Sequence, residues 1–139
     1  MKHMLFMALM MSCLSACSQS IDIAGEYEKK SGMHIVLLKL HPNGVFQFDS
    51  YNKGLRAGTP AEPSISGRGT WSAINDVIYF ATNPDTDIDH NSTLNFNDTK
   101  AKLTFESSRD SSNEEAIATL EFFETGIFWI NGIELKKRN

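Results

Sequence analysis

The stretch "MHIVLLKLHPNGVFQFDSY", Met33 to Tyr51, constrains the fold more than any other part of the chain. Val36, Leu38 and Leu40 alternate with less apolar neighbours, Pro42-Asn43-Gly44 reverses the chain, and Phe46 and Phe48 return on alternate positions. A period of two buries one face of each strand, and Asn-Gly tolerates the positive φ that a tight hairpin turn demands. The same pattern recurs downstream. "GTWSAINDVIYFA" turns at Asn75-Asp76 with Ile78 and Phe80 on one face, and "STLNFNDTKAKLTFES" sets Leu94 and Phe96 against Leu103 and Phe105 across Asn97-Asp98. "IATLEFFETGIFWINGIELKK" adds turns at Thr125-Gly126 and Asn131-Gly132. This spacing predicts about nine or ten short strands and no helix. The expected fold is all-β, an antiparallel meander closing into a small β-barrel, with a β-sandwich as the alternative.

Two connections interrupt the meander. Asn52 to Ser66 holds two prolines and two glycines and cannot be strand throughout. Thr82 to Asn91 is polar and acidic. Loops of this kind are where binding residues gather on a β scaffold. Phe46, Phe48, Trp71, Phe80, Phe96, Phe105, Phe122 and Trp129 are expected either to fill the barrel or, in part, to line an apolar cavity open at one end.

The N-terminus reads "MKHMLFMALMMSCLSAC": a Lys at position 2, an apolar stretch from Met4 to Met11, then small residues leading to Cys17. That is the layout of a secretory signal. The apolar stretch is well short of the roughly 20 residues that span a bilayer as a helix. Leu14-Ser15-Ala16-Cys17 resembles the bacterial lipobox, whereas Met10-Met11-Ser12 before Cys13 fits it poorly. The resemblance implies a signal peptide over 1–16, cleavage before Cys17, acylation of Cys17 and a lipidated tether over 17–24. Ser18 after the cysteine is, in Gram-negative lipoproteins, compatible with transfer to the outer membrane. The address it implies is that membrane's periplasmic face.

Removal of the signal leaves about 120 residues, enough for one domain with its own core. The two cysteines are Cys13 and Cys17, so the domain over 25–139 has no disulfide, thiolate metal site or cysteine nucleophile. A net charge of −4 without a long basic run is a poor match to nucleic acid. Chemistry-bearing motifs are sparse. Asp85, Asp87 and Asp89 put carboxylates at alternate positions, and Asn91 adds a carbonyl oxygen, a spacing that can wrap calcium. His90 stands where an EF-hand has its turn glycine and Phe96 where it has its bidentate glutamate, so a solvated acidic loop is the alternative. His34, His41 and His90 are too few and too scattered for a zinc centre. No serine lies in a Gly-x-Ser-x-Gly elbow, and Glu26, Glu28 and Glu62 form no distinctive carboxylate pair.

The order "GEY", "LKLHPNGVFQF", "GRGTW", "VIYF", from Gly25 to Ala81, resembles small lipocalin-like bacterial lipoproteins. Envelope-stress and copper-resistance lipoproteins of that layout carry a Cys-x-x-Cys motif near the first hairpin. This chain has "EKKSGM" there, so their copper and redox chemistry is not carried over. The expectation is a non-enzymatic lipoprotein without catalytic residues, metal or cofactor, binding a periplasmic protein or a small apolar ligand. An inhibitor or immunity protein against a cell-envelope hydrolase or toxin is the alternative.

Overall fold

A computed structural model describes residues 23–52, 63–106 and 116–138. Eight strands follow one another: β1 (Gly25–Ser31), β2 (His34–Leu40), β3 (Val45–Asn52), β4 (Pro63–Ile74), β5 (Val77–Ala81), β6 (Thr99–Glu106), β7 (Ile117–Glu124) and β8 (Glu134–Lys137). Each pairs antiparallel with the next, and β8 returns to β1, closing the barrel. The meander is a barrel and not a sandwich.

The sequence pattern explains the strand register. Leu38 lies opposite Phe48, Leu40 opposite Phe46, and Tyr27 opposite Leu38, so the apolar alternation of three strands lands on one face. The β2–β3 turn is held by mutual backbone bonds between His41 and the Gly44–Val45 end, and the Asn43 side chain accepts from the Val45 amide. Asn75 makes the β4–β5 turn in the left-handed region at φ 56°, which asparagine tolerates.

Two expected elements differ. The segment Ser92 to Asp98 does not form a hairpin with β6; it turns at Asp98, φ 57°, and the Leu94 region bridges Gly67 of β4 instead. β6 is already flanked by β5 and β7, so no ladder edge is left for it. Residues 125–133 likewise form consecutive turns and no strand. Ile130 and Ile133 amides donate three residues back, to Ile127 and Ile130, and the Gly132 amide donates to Phe122. The strand count among the described residues is therefore eight.

The interior is aromatic. Phe46 and Phe48 of β3, Phe80 of β5, Phe122 of β7 and Phe96 of the β5–β6 connection are all buried. Phe96, with no exposed surface, has ring centroids of Phe46 and Phe48 at 5.0 and 5.2 Å, and those of Phe80 and Phe122 at 6.1 and 6.5 Å. Such tilted and edge-on pairs stabilise beyond area burial alone, by about 0.5–1.5 kcal/mol each. Two inward glycines on β4 make room for this cluster. A Cβ on Gly67 would lie 2.5 Å from the Phe96 ring, and one on Gly69 would lie 2.0 Å from the Ala81 carbonyl oxygen. Trp71 and Trp129 pack half-buried against the core, while Phe105, inward-facing near the end of β6, is exposed. Being close to a barrel mouth, Phe105 escapes the burial that its alternation predicts.

Candidate functional site

The barrel has two distinct ends. One carries the start of β1, the β2–β3 and β4–β5 turns and the end of β8; the other carries the β1–β2, β3–β4, β5–β6 and β7–β8 connections. At the second end the β7–β8 turn folds over the barrel mouth. Ile130 is fully buried, and the Trp129 ring sits 6.0 Å from that of Phe48. Thr125 Oγ1 accepts from the Ile127 amide and is 3.0 Å from Thr99 Oγ1, tying the turn to β6. Between those anchored residues Phe128 projects outward with 88% of its surface exposed. The Phe128 ring is thus displayed to solvent on a turn whose neighbouring residues are held by backbone bonds and by burial. Met33, Ile65 and Phe123 add exposed apolar surface toward the same end.

The polar groups near this end sort onto two faces of β3. His34 Nε2 and Ser50 Oγ are hydrogen-bonded at 2.6 Å on the inner face. Asp49, its immediate neighbour, points the other way. Its carboxylate accepts from Ser66 Oγ at 2.6 Å and from the Gln47 amide at 3.1 Å. Burial, then the Asp49 charge and hydrogen bond, push the Tyr51 hydroxyl above its ordinary pKa. Adjacent strand residues face opposite sides, so Asp49 does not complete a relay with Ser50 and His34.

The acidic loop is braced by a cation of the chain itself. Arg68 on β4 donates to the carbonyls of Asp87 and Thr86, and its guanidinium lies 3.1 Å from the Asp89 carboxylate. Asp89 also accepts from the amides of Asn91 and Ser92, and these two bonds lead the causes that lower its pKa. Asp87 accepts from the Asn83 amide at 2.7 Å. The three aspartates do not converge on one point, and two of them are committed to backbone amides. The loop reads as a self-capped turn. Glu26 and Glu28, on the outer face of β1, pair with Arg138 at 3.0 and 3.4 Å across the barrel seam.

That seam is the second feature of note. Among the described residues β1 and β8 share the register pairs Tyr27–Lys137 and Glu28–Lys136 and a bond from the Arg138 amide to the Glu26 carbonyl. Beside them a charged cleft of about 420 Å³ opens between Glu28, Lys29, Lys30, Gly132, Glu134 and Lys136. Lysines along such an edge discourage strand addition.

Cys17, Cys13, Glu62 and positions 53–62 of the long β3–β4 connection lie outside the described residues. Sequence reasoning missed Phe128. Its only signal was an apolar residue between two turn pairs, and the strand expected there would have hidden one face of it. Comparison of the chain with known protein families, with curated proteins and with solved structures finds no match.

Proposed function

We propose that this is a lipid-anchored envelope protein, held through Cys17 at the periplasmic face of the outer membrane, whose barrel docks another protein and carries no catalytic site. The observation that supports docking of a protein over carriage of an apolar ligand is the position of Phe96. An eight-stranded barrel has room either for its own side chains or for one small ligand. Phe96 takes the central position, in ring contact with residues of β3, β5 and β7, and Trp129 packs over Phe48 at the mouth. Among the described residues the surface left for recognition is then external, and Phe128 is its most exposed aromatic group. An inhibitor or immunity role is the same geometry with an enzyme as partner, Phe128 entering its cleft.

Site-specific photo-crosslinking in intact cells tests the reading. A benzophenone side chain in place of Phe128 is expected to trap one partner of defined mass, whereas the same group in place of Ile74 at the opposite end traps none. Phe128→Ser is expected to abolish co-purification of that partner and leave the melting temperature unchanged, since exposed substitutions typically stay within about 0.5 kcal/mol. Equal labelling from both ends would remove Phe128 from the interface.

A further inference from the structure

The eight large apolar side chains exposed among the described residues divide between the barrel's two ends. Met33, Ile65, Phe123 and Phe128 lie toward the end already described; Val45, Ile74, Phe105 and Ile117 lie at or next to strand termini of the other. The chain enters the barrel at that other end. β1 begins there, the Tyr27 hydroxyl donates to the Ile23 carbonyl at 2.7 Å, and Ile23 packs against the core. Cys17 precedes Ile23 by six residues, so its Cα can lie no more than about 22 Å from that of Ile23 even with the chain fully extended.

Of the four, Ile74 is 61% and Phe105 42% exposed. Ile74 closes β4 opposite Val77, and exposed Lys102 lies beside Val77 on the next strand. Phe105 looks into the mouth opposite Ala118, and Ile117 opens β7 next to it. Ile74, Phe105 and Ile117 are apolar groups at an end that also carries the exposed polar turns at His41–Asn43 and Asn75-Asp76, with Lys102 set back from it. Such a mixture suits a membrane interface, where apolar groups reach the acyl boundary and an ammonium reaches the headgroups. Single exposed apolar residues need no explanation. Three on β4, β6 and β7, at the end to which a short tether brings a lipid, do.

We propose that the anchor-proximal end of the barrel rests on the lipid surface, with Ile74, Phe105 and Ile117 in the interface. This rests on the acylation of Cys17 put forward above. It gives the docking face a direction: Phe128 points away from the membrane.

The test uses full-length protein matured in cells and reconstituted into vesicles of phosphatidylethanolamine and phosphatidylglycerol. Acylation blocks the Cys17 thiol, so a cysteine introduced at Ile74→Cys, Ile117→Cys or Phe128→Cys takes an environment-sensitive dye alone. Vesicle flotation reports the anchor; quenching by brominated acyl chains reports contact. The expected result is flotation of all three variants, with fluorescence lost to brominated lipid at positions 74 and 117 and retained at 128. Flotation with no quenching at 74 and 117, or with equal quenching at all three positions, overturns the docked orientation and leaves the anchor standing. Failure to float, with no lipid mass on Cys17, overturns the anchor and the orientation together.

Discussion

Gly67→Ala isolates the packing at the barrel's centre, because two effects of opposite sign act on one methyl group. In a strand, replacing glycine by alanine ordinarily stabilises by roughly 0.5–1 kcal/mol, through the lower entropy of the unfolded chain. Gly67 has no positive φ that would offset this gain. The added Cβ, however, would lie 2.5 Å from Phe96 Cε2 and 3.0 Å from Leu94 Cβ. The Phe96 ring cannot yield easily, since Phe46, Phe48, Phe80 and Phe122 surround it. Overpacking of this kind costs about 1–3 kcal/mol. The net expectation is a loss of about 1–2 kcal/mol. With a urea slope of roughly 1–2 kcal/mol per molar, the unfolding midpoint falls by about 1 M. Tryptophan fluorescence follows it directly, because Trp71 and Trp129 both pack on the core. Shortening the ring by Phe96→Leu in the same chain is expected to remove the penalty, so that the two substitutions together cost less than their sum. A Gly67→Ala protein as stable as the parent, or more so, would refute a tightly filled centre.

Three further outcomes are expected. Trp71→Ala loses about 3 kcal/mol, toward the low end for a large aromatic since the ring is half-buried. Trp71→Phe loses only about 1, the bond from the indole Nε1–H to the His41 carbonyl at 2.9 Å, and denaturant melts of the pair separate packing from hydrogen bonding. Thr119→Val gains about 1 kcal/mol, because the buried Thr119 hydroxyl has no partner among the described residues; a melting temperature that falls would show that it has one. Asp89 titrates below the ordinary aspartate value, so the order it gives the 82–98 loop is complete above that value and is lost as pH falls through its own lower pKa. Carbon NMR of the Asp89 carboxyl, with amide exchange at Asn91 and Ser92, checks this; titration at or above the ordinary value would show those amides unbonded.

The fold was legible because alternation is a local signal. Val36, Leu38, Leu40, Phe46 and Phe48 announce their faces by spacing alone, and the turns at Asn43-Gly44 and Asn75-Asp76 fall where the residues permit. What stayed hidden depended on which strands become neighbours. Leu94 and Phe96 have strand spacing, yet β6 already has two partners, so they are displaced inward beside Gly67. Phe128 and Trp129 sit side by side in the sequence, and only the closure of the turn over the mouth decides that one is displayed and the other packs half-buried against Phe48. The acidic loop shows the same limit. Its carboxylate spacing suits a cation, and the cation beside it is Arg68, 21 residues from Asp89 in sequence.

Native mass spectrometry of the membrane-extracted protein distinguishes a filled barrel that recognises from outside from a hollow carrier. The expected result is the covalently lipidated chain with no small non-covalent adduct, together with a population carrying one additional protein that disappears in Phe128→Ser. A discrete adduct of a few hundred daltons, retained in Phe128→Ser and released on collisional activation, would contradict it and make the barrel a carrier.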